Sequence, residues 1–260
     1  MTFPVKICSL LFAIAVTSIS CSNRESELTA AYDFENEAFG DLRTNKLRYG
    51  YSGLIVDTLA RNGNFSVRFE LRKDDDLNWI EGSRAELKDN LNVPLNQEIW
   101  YGISLYIPSD FPELERNCVV MQWHGEHDKR EASRSPVLAL RVVGDTLYIN
   151  SRSSKKRIQT NNRGPQVEHF RMQNFPRDEW IDFVVKAVWS HKSKGTLNMW
   201  LNGNQIISYE GPIGYNDRKG PYFKFGLYKH SGDEPLVIYH DEYRRGNSEE
   251  EVNPAFFTTP

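Results

Sequence analysis

Residues 197–209 read Leu-Asn-Met-Trp-Leu-Asn-Gly-Asn-Gln-Ile-Ile-Ser-Tyr, two β-rich runs joined by Asn202-Gly203. An Asn-Gly dipeptide readily adopts the positive φ angles of a two-residue β-hairpin turn. Residues 197–201 and 205–209 are therefore predicted to form an antiparallel pair of strands.

The same two-residue alternation of apolar and polar side chains recurs along the chain, in residues 99–107, 181–189 and 222–228. Glycine and proline fall mostly between these runs, where they act as turn residues. No long helical stripe of apolar residues appears. Many short strands separated by turns predict an all-β sandwich or jelly roll, in which a curved sheet leaves one concave face for a groove.

Composition and charge restrict the function. Of the 260 residues, 39% are hydrophobic and 12% aromatic, which excludes disorder over most of the chain. Lys and Arg number 32 against 35 Asp and Glu, for a net charge of −3. This balance gives no sign of nucleic-acid binding, so we predict no nucleic-acid partner. We expect one domain over residues 31–260 and a monomer.

The first twenty residues are predicted to be a bacterial lipoprotein signal. Lys6 precedes an apolar run at 7–16 that is too short to span a bilayer. Ser18-Ile19-Ser20-Cys21 resembles a lipobox, in which the cysteine becomes the acylated first residue of the mature protein. We therefore expect a lipid anchor at Cys21, a polar tether over 21–30, and attachment to a membrane of the cell envelope, facing the periplasm or the cell surface. An ordinary secretory signal is the alternative.

Cysteine usage excludes a disulfide in the mature protein. Removal of residues 1–20 also removes Cys8, so an acylated Cys21 leaves Cys118 as the remaining thiol. Cys118 precedes Val119-Val120-Met121 and is predicted to be a small buried hydrophobic residue. The polar stretch 151–166 is predicted to form a long loop or a hairpin.

Three short motifs carry polar side chains on one face of their predicted strands. They are 83–87 (Ser-Arg-Ala-Glu-Leu), 122–125 (Gln-Trp-His-Gly) and 222–228 (Tyr-Phe-Lys-Phe-Gly-Leu-Tyr). Alternation puts the polar residues of each motif on one face of its own strand: Arg84 with Glu86, Gln122 with His124, and Tyr222 with Lys224 and Tyr228. Taken singly, each motif also fits a structural role, such as a cross-strand ion pair. Together they indicate a site for an anionic ligand.

These motifs resemble those of jelly-roll polysaccharide lyases. Family-seven alginate lyases carry Arg-Ser/Thr-Glu-Leu, Gln-Ile/Val-His and Tyr-Phe-Lys-Ala-Gly-Val/Ile-Tyr strands in the same order. The surrounding sequence is more similar to the heparin lyase I and glucuronan lyase group, at 121–125, 197–203 and 239–243. Ala85 and Phe225 depart from the alginate lyase pattern, and the short chain is more like glucuronan lyases. The resemblance therefore implies a concanavalin-like β-jelly roll acting on a glucuronan-like anionic polysaccharide.

The resemblance also implies β-elimination at a uronic acid and a role for each residue. Arg84 and Gln122 would neutralise the sugar carboxylate, which favours removal of the neighbouring C5 proton. Tyr228 would donate a proton to O4, and His124 would act as base or help to neutralise the carboxylate. In glucuronate or mannuronate, H5 and O4 lie on the same side, so Tyr228 could serve both steps. In guluronate or iduronate they lie on opposite sides, and His124 would be the base.

Further residues are candidates for holding the sugars of the polymer. These substrate-binding candidates are Glu86, Lys224, Lys229, Tyr239 and Arg245.

Two other classes of function remain open from the sequence. A glycoside hydrolase needs a pair of carboxylates, and Glu126, Asp128 and Glu131 have a spacing found in one group of hydrolases. Their neighbours are charged, so we interpret 126–135 as a loop beside the groove. A non-catalytic sugar-binding module would need no His and Tyr pair. No metal or other cofactor is predicted, although 74–76 and 241–242 offer oxygen ligands of the kind that calcium takes.

Overall fold

The computed structural model of the protein describes residues 28–73, 75, 82–160, 164–229 and 235–257. The predicted export signal, Cys21 and most of the predicted tether lie outside these residues. Among the described residues, no helix has the length and hydropathy needed to cross a bilayer.

The described residues form sixteen strands and one short 3₁₀ turn at Pro254–Phe256. In chain order the strands are β1 Ala30–Tyr32, β2 Arg43–Asn45, β3 Gly53–Val56, β4 Ser66–Leu71, β5 Ser83–Lys88, β6 Glu98–Tyr106, β7 Cys118–His124, β8 Leu138–Val143, β9 Thr146–Ser154, β10 Gln166–Gln173, β11 Trp180–Val188, β12 Thr196–Leu201, β13 Asn204–Glu210, β14 Gly214–Tyr215, β15 Tyr222–Lys229 and β16 Leu236–Gly246.

The strands assemble into two eight-stranded sheets. The first sheet has the order β13-β12-β11-β6-β16-β4-β3, with β1 beside β16. The second has the order β10-β9-β8-β7-β15-β5-β2, with β14 beside β9. All the pairings are antiparallel except that of β14 with β9. The prediction of an all-β antiparallel sandwich is confirmed.

The predicted hairpin is β12 and β13. Asn202 and Gly203 both have positive φ, at 46° and 76°, as a type I′ turn requires. The polar stretch 151–166 is also part of a hairpin, because β9 continues to Ser154 and pairs with β10 from Gln166 onward.

Large aromatic side chains fill the space between the sheets. Tyr101 of the first sheet meets Trp123 of the second edge to face, with ring centroids 5.4 Å apart, and Phe69 meets Phe225 at 5.9 Å. Such pairs contribute packing area and a favourable edge-to-face geometry. Cys118 is a free, buried thiol, as predicted, and burial raises its pKa to about 12.

His240 joins the two sheets through both of its ring nitrogens. Nδ1 lies 3.2 Å from the carbonyl oxygen of Ser104 in the first sheet, and Nε2 lies 3.2 Å from that of Val120 in the second. Burial lowers the pKa of this imidazole to about 3, because the charged form would lose its hydration.

Candidate active site

Three neighbouring strands bring the three motifs together. Strand β15 lies between β7 and β5 in the second sheet, so each motif borders the next. Across these pairings Lys224 is opposite Gln122, and Tyr228 is opposite Arg84. The apolar members of the motifs turn towards the core, where Trp123, Phe223 and Leu87 are buried. We call the opposite face, which carries Arg84, Glu86, Gln122, His124, Tyr222, Lys224 and Tyr228, the site face.

A glycine in β15 makes this close packing possible. Gly226 has φ +124°, and a Cβ atom there would stand 2.3 Å from the carbonyl oxygen of Ala85 on β5. The register of β15 against β7 shifts between Phe225 and Tyr228, which marks a β-bulge. Bulges next to active sites re-aim the side chains that follow them. Gly226 therefore allows the backbone geometry from which Tyr228 is presented.

Glu86 is the centre of a buried polar cluster under the site face. Its carboxylate accepts hydrogen bonds from Lys224 Nζ at 3.0 Å, from Asn45 Nδ2 at 2.8 Å and from Gln122 Nε2. The side chains of Lys224 and Glu86 are 8% and 2% exposed. Three donors compensate for the burial of this carboxylate. Glu86 thus lies within the predicted site, although below its surface.

This cluster changes the expectation for Gln122. The sequence predicted direct contact between its amide and a substrate carboxylate, but Gln122 is 1% exposed and its amide nitrogen faces Glu86. Direct contact would require the Gln122 side chain to turn away from Glu86. In the structure, the role of Gln122 is to hold Glu86.

Arg84 and Tyr228 form a stacked pair. The guanidinium carbon of Arg84 is 4.2 Å from the centroid of the Tyr228 ring. Both residues are half-buried, so each leaves part of its side chain open to a ligand. Contact between a cation and an aromatic face holds the ring and places a positive charge over it.

His124 lies at the far end of the site face, opposite Tyr222 on β15. Its Nδ1 is 2.8 Å from the carbonyl oxygen of Gly125, and its Nε2 is 3.1 Å from that of Arg134. Burial, and secondly the charge of Lys224, lower the pKa of His124 to about 3. The imidazole is therefore neutral at neutral pH.

A buried ionic cluster around Arg134 fixes the surroundings of His124. Its guanidinium donates to Asp217 at 2.6 and 2.7 Å and lies 2.9 Å from Glu131. It also stacks on the ring of Tyr215 at 4.3 Å. Glu131 and Arg134 share one loop, but Tyr215 is in β14 and Asp217 follows it, so no local sequence pattern indicated the whole cluster. It holds the 125–137 loop, including the carbonyl group that faces His124.

The carboxylates with hydrolase-like spacing each have a cation of their own. Glu131 is paired with Arg134, Asp128 with Arg157, and Glu126 with Lys219. They lie in the loop beside the site face, as predicted.

The structure also bears on possible metal ligands. Carboxylate oxygens of Asp128, Glu131 and Asp217 come within 4.8 Å of one another, but Arg134 and Arg157 already bind them. Asp241 accepts hydrogen bonds from the backbone N–H groups of Arg61 and Glu242. Of the acidic run at 74–76, Asp75 is described and accepts from the Tyr51 hydroxyl; positions 74 and 76 lie outside the described residues.

Three predicted substrate-binding residues lie elsewhere, which corrects that part of the sequence prediction. Tyr239 and Arg245 are on β16 in the first sheet. Arg245 is buried there against Asp89, with Nε 2.8 Å from Oδ2. Lys229 is 3% exposed at the end of β15, and alternation puts it on the face opposite to Tyr228. None of the three reaches the site face.

A cavity of about 500 Å³ opens beside His124. We call it the basic pocket; its lining includes Arg43, Lys88, His124, His127, Lys219 and Tyr222. Apart from His124 and Tyr222, these residues are outside the three motifs, and the sequence analysis missed them as a group. The strand pairing that puts Arg43 directly opposite Lys88 is what brings them together.

Sequence comparison assigns the family. A family model described as polysaccharide lyase matches residues 36–244. The chain belongs to the polysaccharide lyase family. The predicted family resemblance and the prediction of a polysaccharide-degrading lyase are thereby confirmed. No curated protein matches this lyase in sequence.

Solved structures share the fold of this polysaccharide lyase. An endo-β-1,4-glucuronan lyase from the fungus Trichoderma reesei is 14% identical in sequence and superposes with a TM-score of 0.72. The match covers 88% of this chain and 99% of the glucuronan lyase chain. The alginate lyase Aly36B is 12% identical with a TM-score of 0.55, covering 85% and 97%. An alginate lyase from a Chlorella virus is 12% identical with a TM-score of 0.51, covering 75% and 89%. The jelly-roll prediction is confirmed.

Proposed function

We propose that this lyase cleaves a glucuronan-like polyuronate by β-elimination, with Tyr228 as the residue that moves the protons. The observation that carries the proposal is the Arg84 guanidinium stacked 4.2 Å from the Tyr228 ring on the site face. It puts a permanent positive charge over the ring of a tyrosine at a partly exposed position. A uronate that undergoes β-elimination needs a positive charge near its carboxylate and a proton-transferring hydroxyl at the same place.

The reaction requires removal of a weakly acidic proton. The Tyr228 oxygen, entering the step as phenolate, takes H5; the C5–H electrons form the C4–C5 double bond, and the C4–O4 bond breaks. The proton then passes from Tyr228 to O4 of the leaving sugar. Arg84 offsets the charge that develops on the carboxylate of the sugar, and such preorganised charge is usually the largest catalytic contribution.

The position of His124 argues against its acting as the base. On β7, His124 is five residues from Val119, which lies opposite Tyr228. Because β7 has one extra residue against β8 between Val119 and Met121, this places the two backbone positions about 13 Å apart. Both ring nitrogens of His124 face carbonyl oxygens, and a pKa of about 3 makes the imidazole a weak base. We assign His124 to the binding of a neighbouring sugar.

This division of roles favours one stereochemistry. If Tyr228 performs both proton transfers, H5 and O4 must lie on the same side of the ring, as in glucuronate and mannuronate. The structural similarity to a glucuronan lyase adds support for glucuronate. The departures from the alginate lyase motif at Ala85 and Phe225 point in the same direction.

The reaction is tested by the absorbance of its product. Elimination leaves a double bond conjugated to the carboxylate, which absorbs in the ultraviolet, whereas hydrolysis does not. The protein would be incubated separately with glucuronan, polymannuronate, polyguluronate and heparin. We expect the absorbance to rise fastest with glucuronan. Reducing ends without absorbance would establish hydrolysis, and a preference for polyguluronate would require a second residue as base.

We also propose that the protein works at the bacterial cell envelope, held by a lipid on Cys21. The support is the sequence of the first 21 residues, with its short apolar run ending in Ser-Ile-Ser-Cys. An acyl anchor would keep the enzyme where extracellular polymers arrive.

A further inference from the structure

The basic pocket is separated from the proposed reaction centre along β15. Tyr222 lines the pocket, and Tyr228 lies six residues further along the same strand. The corresponding positions on β7 are five residues apart, but β7 bulges against β8 between Val119 and Met121, so they span about four regular strand positions, or about 13 Å. This distance exceeds the width of one pyranose ring. A sugar in the pocket is therefore a different residue of the polymer from the one that reacts at Tyr228.

Positive side chains stand next to one another at this end of the sheet. Arg43 on β2 is directly opposite Lys88 on β5, and Lys88 is directly opposite Lys224 on β15. Like charges at directly opposite positions of adjacent strands are destabilising. Glu86 compensates the charge of Lys224 from below the surface. The arrangement leaves Arg43 and Lys88 side by side at the pocket wall.

Lys88 is held in position for contact with a ligand. Its ammonium lies 3.7 Å from the centroid of the Tyr222 ring, which faces the pocket. Burial lowers the pKa of Lys88, so its charged form has lost part of its hydration. A bound carboxylate would replace that hydration and would relieve the repulsion from Arg43.

The remaining lining agrees with an anionic ligand. The described lining contains three cationic side chains, Arg43, Lys88 and Lys219, and one carboxylate, that of Glu126. Glu126 is ion-paired with Lys219 at 3.2 Å and its charge also attracts Lys88. One carboxylate still faces three cations, so the described lining keeps a positive balance. Asn90 and Asn92 add amide groups that can bond to sugar hydroxyls.

We infer that the basic pocket binds the carboxylate of a second uronate, at a fixed offset from the sugar cleaved at Tyr228, through Arg43 and Lys88. This inference rests on the proposed function and narrows it. The enzyme would require a polymer with a carboxylate at both positions, as a homopolymer of uronate provides. A polymer with a neutral sugar at the pocket position would bind weakly.

Binding is measured without turnover, by calorimetric titration of glucuronate oligomers into the Tyr228→Phe variant at low salt. Introducing Lys88→Met or Arg43→Gln into this variant should raise the dissociation constant of long oligomers about tenfold. A change of this size is expected when one charge-assisted hydrogen bond is lost. A disaccharide, too short to reach both places, should bind the Tyr228→Phe variant much more weakly than the long oligomers do. Lys88→Arg should restore most of the affinity. Lys186→Met is the matched control, because Lys186 also lies over an aromatic ring, that of Trp100, but in the first sheet.

In the enzyme with Tyr228 intact, Lys88→Met should raise KM for long polymers and leave kcat nearly unchanged. Lys88-dependent binding of oligomers, with no ultraviolet-absorbing product from the wild type, would support the pocket and overturn the proposed reaction. Absorbing product with unchanged oligomer affinity in Lys88→Met and Arg43→Gln would overturn the pocket alone. Equal affinity for the disaccharide and the long oligomer, or no oligomer binding at all, would also overturn it. Unchanged urea midpoints would show that the variants are folded.

Discussion

Lys224 donates a hydrogen bond to Glu86 across 3.0 Å, between two side chains that are almost completely buried below the site face. The pair links β15 to β5, the strands that carry Tyr228 and Arg84. Burial of two charges is tolerated when their geometry is good and further hydrogen bonds complete the shell. Asn45 and Gln122 supply those bonds. The ion pair therefore holds together the two strands that carry Arg84 and Tyr228, and it also stabilises the second sheet.

Removal of one partner of this pair should destabilise the fold strongly. In Lys224→Met the Glu86 carboxylate stays buried without its cation, a change that typically costs about 3–5 kcal/mol in the free energy of unfolding. The double variant Glu86→Gln/Lys224→Met should recover much of the loss, because no charge remains buried. Urea unfolding measures both. Lys219→Met is the control, since its pair with Glu126 is exposed and should change stability little. A single variant as stable as the wild type would contradict the prediction.

Loss of the Tyr228 hydroxyl should abolish most of the activity. Tyr228→Phe keeps the ring that stacks on Arg84 and removes the group that transfers the proton. Loss of a general acid or base typically lowers the rate by about a hundredfold to ten-thousandfold. The ultraviolet absorbance assay gives kcat, and circular dichroism checks the fold. Tyr106→Phe, which removes a hydroxyl from the first sheet near Asp178, should keep wild-type activity. A folded Tyr228→Phe enzyme with normal turnover would remove Tyr228 from the mechanism.

The half-buried His124 and the buried His240 should each contribute less to stability in mild acid. His124 and His240 each have a pKa lowered to about 3 by burial, whereas a histidine in the unfolded chain titrates near pH 6.5. Between these values the unfolded chain binds protons that the native histidines do not, so the contribution of the two histidines to the free energy of unfolding decreases as pH falls from 6.5 towards 3. Asp217 and Asp241, whose pKa values burial raises to about 6 and about 7, contribute in the opposite direction as pH falls. Urea midpoints at pH 7.5 and pH 5 measure the change.

The contribution of one histidine is isolated by comparing variants. His124→Gln should reduce the pH dependence of the urea midpoint. His191→Gln alters a half-buried histidine elsewhere and should leave most of this pH dependence unchanged. The same pKa of His124 predicts no inflection from this residue near pH 6.5 in the pH profile of kcat. Equal slopes in all three proteins would show that His124 titrates normally.

Salt should weaken substrate binding more than it weakens catalysis. Arg43 and Lys88 line an open pocket, and the range of such electrostatic interactions shrinks from about 10 Å at 0.1 M salt to about 3 Å at 1 M. KM for glucuronan should rise over this range with a smaller change in kcat. An equal osmolality of sucrose is the control for non-ionic effects. A KM independent of salt would mean that binding does not depend on partly exposed charges.

The lipid anchor is tested independently of the enzyme reaction. Cys21→Ser should release the protein from membranes into the soluble fraction of the host and should abolish labelling by a radioactive fatty acid. The purified soluble variant should retain wild-type turnover, because the proposed catalytic residues begin at Arg84. An unmodified N-terminus at Ser22 in the native host would instead indicate an ordinary secretory signal.

The sequence determined the strands and the two faces of each strand, because both depend on local periodicity. The alternation in 222–228 correctly separates Phe223 and Phe225, which are buried in the core, from Tyr222 and Tyr228 on the site face. The Asn202-Gly203 turn is likewise a local property of its two residues. The order of the three motifs was enough to indicate the family, since that information is carried by residue identity.

The tertiary structure decided which strands are neighbours and how deeply each charge is buried. Pairings such as Arg43 with Lys88, or Asn45 with Glu86, join residues far apart in the chain, and no local period encodes them. The same pairings placed Arg245 in the other sheet. Depth matters because a charge is stable in the interior only where neighbouring strands supply its partners. For this reason Glu86 and Gln122 are buried below the site face, while Arg84 and Tyr228 are partly exposed on it.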